Sequence, residues 1–166
     1  MERKKRPTDL AEELERNDAD WSSLEHEVLL NIIKTSDTFK YTLKMLFKPY
    51  GISGPQYNVL KILTLKRDLG EERVPVGEIR KNLIERSPDV TRLLDGIETK
   101  GLASRKRSKR DRRVVWIAIT GEGRRLVDEL EEPLQKLHRE NLGHLGEKKL
   151  RLLNDMLFEA RYPKKA

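Results

Sequence analysis

Apolar residues from Leu24 onward fall at Val28, Ile32, Phe39, Leu43 and Leu46, with Ser36 in the same series and Ile33 and Phe47 beside it. A spacing of about 3.5 over several turns predicts one long helix whose narrow seam packs on another helix, either within one subunit or across a dimer axis. Pro49-Tyr50-Gly51 ends it. Ser53-Gly54-Pro55-Gln56 restarts a helix, with Ser53 and Gln56 set three apart as a capping box and Pro55 in the first turn; Tyr57, Leu60 and Leu63 form its inner face. A polar loop follows from Asp68 to Arg73. Val74-Pro75-Val76 is long enough only for an edge strand, and Gly77 to Leu83 predicts a short helix that turns Ile79 and Leu83 inward.

From Ser87 to Lys100, Val90, Leu93, Leu94 and Ile97 recur at helical spacing, which puts them on one buried stripe and leaves Asp89, Thr91, Arg92 and Asp95 on the other face. Ser87 is the expected N-cap, with Pro88 at the first helical position, and Gly101 stops the helix. Two strands follow, Leu102 to Arg107 and Val114 to Thr120. In the second, Val115, Ile117 and Ile119 alternate with Val114, Trp116 and Ala118, so the Ile117 set faces the helices and Trp116 covers the opposite side as packing rather than as a base-stacking group. Thr120 caps a further helix through Leu126, Val127 and Leu130, with a kink or break expected at Pro133. Beyond Gly143 and Gly146 a last helix carries Leu150, Leu153, Met156 and Leu157. The class is mainly α with a small β-hairpin wing: a winged helix-turn-helix between terminal helices.

Charge sharpens that picture. Arg105, Lys106, Arg107, Lys109, Arg110, Arg112 and Arg113 surround a single acid, Asp111, a concentration that points to a polyanion, with a solvated, solubilising loop as the alternative. The whole chain holds 35 Lys+Arg against 28 Asp+Glu, a net charge of +7, while residues 1–20 are mixed in sign and read as a polar arm with little to bury. Cysteine is absent, which removes disulfides, thiolate catalysis and cysteine redox sensing. There is neither a run of about 18 apolar residues nor a charged start leading into an apolar signal core, so a soluble cytoplasmic protein without membrane partners is expected. His26, His138 and His144 are scattered, and His138, Glu140 and His144 match no metal-ligand spacing. No catalytic residue, metal or cofactor is expected, and the chain is read as no enzyme.

The run Gly101-Leu102, Arg105, Asp111-Arg112-Arg113, Trp116 to Ile119 and Thr120-Gly121-Glu122-Gly123 resembles the MarR family of bacterial transcriptional regulators, in order and in spacing. Looser similarity covers Ser53 to Leu63 and Leu145 to Leu150. One departure is Glu78-Ile79-Arg80, where the family shows a small capped start and a Leu-Ala pair. The resemblance implies a homodimer whose two winged lobes bind a pseudo-palindrome in double-stranded DNA. It divides the chain into an arm (1–20), an N-terminal dimerisation helix (21–50), the DNA-binding region (51–121) and C-terminal dimerisation helices (122–166), with 21–166 one structural domain. By the same implication Ser87, Pro88, Asp89, Thr91 and Arg92 face base edges, with Arg92 suited to guanine. Arg113 enters the minor groove, Lys106, Arg107, Lys109, Arg110 and Arg112 meet phosphates, and Asp111 shapes the wing. A small aromatic or phenolic effector is a candidate ligand, with His26, Phe39, Tyr41, Phe47 and Tyr57 as candidate wall residues. A non-specific architectural DNA binder and a winged-helix protein-interaction module are the alternatives.

Overall fold

The long periodic segment forms α1 (Leu24–Phe47), entered where the His26 amide donates to Ser23 Oγ at 3.2 Å. The computed structural model describes Leu10, residues 23–85 and 89–108, Asp111, and residues 114–162. They fall into two compact units that divide between Thr42 and Leu43, within α1. In the first, Leu24, Val28, Leu29 and Ile33 are exposed. Leu10, within the segment read as a polar arm, is helical and buried.

In the second unit α1 ends in a 3-10 turn, Lys48–Tyr50, and α2 (Gly54–Asp68) begins with the expected capping box. The Gln56 amide donates to Ser53 Oγ at 3.3 Å, and the Ser53 amide donates to Gln56 Oε1 at 3.0 Å. α2 buries Val59, Leu60 and Leu63 at the centre of the core, each contributing roughly 1.5–3 kcal/mol. β1 (Val74–Pro75) and the short α3 (Val76–Asn82) follow, with Ile79 fully buried and Leu83 half-buried after it.

α4 (Val90–Thr99) turns Val90, Leu94 and Ile97 inward. Its N-cap is Asp89, not Ser87: the Arg92 amide donates to Asp89 Oδ1 at 3.2 Å. Asp caps as well as Ser, and its carboxylate also meets the positive end of the helix dipole. Ser87 and Pro88 themselves lie outside the described residues.

β2 (Ala103–Arg107) and β3 (Val115–Ile119) make the hairpin, and β1 adds to its far side, giving an antiparallel sheet of order β1-β3-β2. The register sets Val74 against Ile117 and Arg105 against Ile117 from the other side. Ile117 and Ile119 therefore point into the core while Trp116 stays half-buried on the opposite face.

α5 (Gly121–Leu142) runs unbroken through Pro133, against the expected kink or break. The missing Pro133 amide costs one bond, but Leu130 and Leu134 on either side of it are both buried and hold the two halves to the same core. A 3-10 turn, Gly143–Leu145, leads to α6 (Gly146–Arg161), which exposes Leu152, Met156 and Phe158. Among the described residues no helix is long and apolar enough to cross a membrane.

Candidate nucleic-acid interface

Because Val90, Leu94 and Ile97 anchor α4, its opposite face is turned to solvent: Asp89, Thr91, Arg92 and Asp95 are all exposed. Asp89 is already engaged in capping. At the outer end of β2, Lys106 and Arg107 are exposed opposite Trp116 and Val115. The hairpin then tightens through its backbone, where Ser108 N donates to the Val114 carbonyl at 2.9 Å and Val114 N to the Asp111 carbonyl at 3.0 Å. The Asp111 amide in turn donates to Ser108 Oγ at 3.2 Å, so Asp111 bonds through its main chain at the turn of the wing. Lys109, Arg110, Arg112 and Arg113 lie outside the described residues.

Arg105 differs from its basic neighbours. Its Nη2 donates to Asp95 Oδ1 at 2.6 Å, and its Nε stands 3.2 Å from Glu98 Oε2. That second contact is an ion pair by distance only, because Nε is buried and no acceptor is aligned to its hydrogen. Among the described residues, the basic run thus divides into Arg105, turned back onto α4, and Lys106 and Arg107, which face outward. Only the spacing of Asp95 and Glu98, one turn apart, hints at this in the sequence.

Four residues separated by up to 22 positions form the joint between α4, the hairpin and α5. Gly101 takes a left-handed φ of 70°, and Leu102 N reaches back to the Ile97 carbonyl at 2.9 Å while Gly101 N bonds Glu98, which closes α4 as a Schellman turn. Thr120 Oγ1 donates to the Gly101 carbonyl at 2.7 Å and accepts from Gly123 N at 3.0 Å. Thr120 N donates to the Leu102 carbonyl at 3.1 Å. A Gly-Leu and a Thr-x-x-Gly far apart in sequence are one hydrogen-bonded knot.

Ion pairs brace this reader from behind. Lys61 bonds Glu131 at 2.9 Å and Arg124 bonds Asp68 at 2.5 Å, both joining α2 to α5. Lys66 holds Glu78 of α3 and Glu71, and these hydrogen bonds, Glu78 first, raise its pKa. The Glu78 that departs from the usual pattern is therefore an anchor of α3 to α2. Asn58 Oδ1 accepts from Ile84 N at 3.2 Å and fixes the turn ahead of α4.

Of the candidate ligand-wall residues, Phe47 and Tyr57 lie in the second unit and His26, Phe39 and Tyr41 in the first. Phe47 is buried and stacks on half-buried Tyr57, ring centroids 5.0 Å apart, and burial pushes the Tyr57 hydroxyl pKa up. Both belong to the packing of the second unit. His26 and Tyr41 are exposed and Phe39 half-buried in the first unit. An open cleft of about 510 Å³ lies beside the end of α4, walled by Tyr50, Lys100, Leu102, Leu126 and Glu129 among others, and none of the five predicted residues lines it.

With this geometry, comparison with known proteins is specific. Residues 41–130 match the family model of the transcriptional regulator SarA/Rot. The chain is 27% identical over 139 residues to YdgJ, an uncharacterised HTH-type transcriptional regulator of Bacillus subtilis, covering 81% of this chain and 84% of that one. It is 34% identical to a MarR transcription factor from Planctomyces limnophilus, with a TM-score of 0.64 over 81% of this chain and 96% of that structure. A cysteine-to-serine variant of Escherichia coli MarR, crystallised with operator DNA, shares the fold at 21% identity, with a TM-score of 0.71 over 87% of this chain and 99% of its own.

Proposed function

The chain belongs to the MarR family of transcriptional regulators, and from that premise we propose that it is a homodimeric, sequence-specific repressor that binds a pseudo-palindromic operator in the cytoplasm. The observation that carries this reading is the exposed polar face of α4 set beside a wing strand with outward Lys106 and Arg107. In a winged helix the N-terminal residues of the recognition helix meet base edges in the major groove. Thr91 and Arg92 take that role with Ser87 and Pro88, Arg92 offering its fork to guanine O6 and N7. Asp89 acts chiefly by holding the first turn in place. Lys106, Arg107, Lys109, Arg110 and Arg112 neutralise phosphates, and Arg113 enters the minor groove.

A second copy is the occupant proposed for the uncovered apolar faces, Leu24, Val28 and Ile33 on α1 and Leu152, Met156 and Phe158 on α6. Exposed apolar side chains grouped on one helix mark candidate interaction surfaces. A small aromatic or phenolic effector that releases the DNA completes the proposal. The domain limits 1–20, 21–50, 51–121 and 122–166 go with this division of labour.

Duplexes selected by the protein from a random-sequence pool test it directly. Binding that survives excess random DNA, at a stoichiometry of two chains per site, is expected. Binding lost equally to competitor would leave an architectural binder, and no binding even at low salt would leave a protein-interaction module.

A further inference from the structure

Arg105 stands in the most basic stretch of the chain, yet its guanidinium is spent inside the protein. The fork reaches from β2 to two carboxylates on the exposed face of α4, bonding Asp95 at 2.6 Å and lying 3.2 Å from Glu98. A planar fork with donors on two edges suits two acceptors a turn apart, where a lysine ammonium would satisfy one at a time. The guanidinium is only partly exposed, so its attraction is screened less than that of an open surface pair.

We propose that Arg105 is a positioning residue for DNA recognition: it locks the wing strand to the recognition helix and cancels the two acids that this helix would otherwise turn toward a polyanion. The inference rests on the DNA-binding reading above. Its consequence is geometric. With the lock closed, α4 and the hairpin approach a duplex as one rigid piece, so major-groove and wing contacts form together without a separate ordering cost. With the lock open, Asp95 and Glu98 remain as unopposed negative charges on the reading face, and the wing takes its own angle.

A double-mutant cycle on Arg105→Gln and Asp95→Asn tests this, with affinities measured for the duplex selected by the parent and for a scrambled duplex of the same length. Circular dichroism melts define temperatures at which every variant stays folded. Arg105→Gln is expected to lower the preference for the selected duplex over the scrambled one by about tenfold, the scale of one charge-assisted hydrogen bond. In the Asp95→Asn background the same change should cost much less, because the charge-assisted bond it breaks is already reduced to a neutral one. Equal losses of preference in both backgrounds would mean that Arg105 acts on the DNA itself and not through Asp95, and would overturn the inference. So would an unchanged preference, since a purely structural role scales both duplexes alike. Should Arg105→Gln not fold, Asp95→Asn alone decides: a lower preference supports the lock, whereas higher affinity for both duplexes, from a freed Arg105, refutes it. A parent that selects no duplex at all fails the DNA-binding reading and this inference with it, whereas a parent that selects normally isolates the lock.

Discussion

Gly123 lies against the carbonyl oxygen of Leu102 so closely that a β-carbon at position 123 would overlap it, with Ile119 Cγ1 only 2.9 Å away on another side. The obstacle is backbone, which cannot swing aside as a side chain would. Gly123→Ala is therefore expected to destabilise the protein by about 1–3 kcal/mol. Gly121→Ala, whose β-carbon would meet nothing within 4 Å, serves as the control and should hold or slightly raise stability. Urea unfolding of the two variants side by side checks the contrast, and equal midpoints would show that α5 can shift off Leu102.

Asp89 caps the helix that faces DNA. Asp89→Ala should cost about 0.5–2 kcal/mol and loosen the first turn of α4, while Asp89→Asn, which keeps an acceptor for the Arg92 amide, should retain most of the stability. Hydrogen exchange at Arg92 and Leu93 would report the loosening. If Asp89→Ala left exchange there as slow as in the parent, the cap would not be what holds that turn.

Lys106 and Arg107 face outward and carry no base-reading geometry of their own. Replacing either with alanine should weaken binding to every duplex alike and reduce the slope of log K against log salt by about 0.9. Titrations at four salt concentrations measure this. A slope that does not change would mean that the side chain remains in solvent in the complex.

Acid should weaken the brace between α2 and α5. Hydrogen bonds from Lys61 first and Gln135 second hold the Glu131 carboxyl below its ordinary range. A carboxyl depressed by folding contributes stability that is present above its unfolded value, roughly pH 4.3, and that disappears as pH falls through the lower folded value. Glu131→Gln should flatten the acid limb of the stability curve, through a small loss at neutral pH that vanishes in acid, since the pair is exposed. Lys61, raised chiefly by the same hydrogen bond, gives the mirror image, its share being lost only as pH climbs through its elevated folded value in alkali. Denaturation midpoints across the acid range provide the readout, and superimposable curves would dismiss the brace.

The local signals were legible before any folding was considered. Ser53 with Gln56 and Thr120 with Gly123 lie three residues apart, a separation closed by helical geometry itself, and the alternation around Ile117 follows from a strand having two faces. These devices need no distant partner, so residue order alone determines them. The sequence pointed to Ser87 as the cap of α4, whereas Asp89, directly ahead of the first helical residue, fills that place.

Tertiary structure decided the rest, because each remaining outcome depends on what a distant segment brings. Pro133 stays inside α5 because Leu130 and Leu134 are held by the same core, a fact that no window around the proline contains. Gly123 is constrained by the Leu102 carbonyl, and Glu78 is claimed by Lys66. Arg105 reads in sequence as one more cation of the wing, and only the packing of β2 beside α4 brings Asp95 within 2.6 Å and turns it inward. Charge counted along a chain says how much is available for a polyanion. How much of it the protein keeps for itself is set by which carboxylates the fold carries to within hydrogen-bond reach.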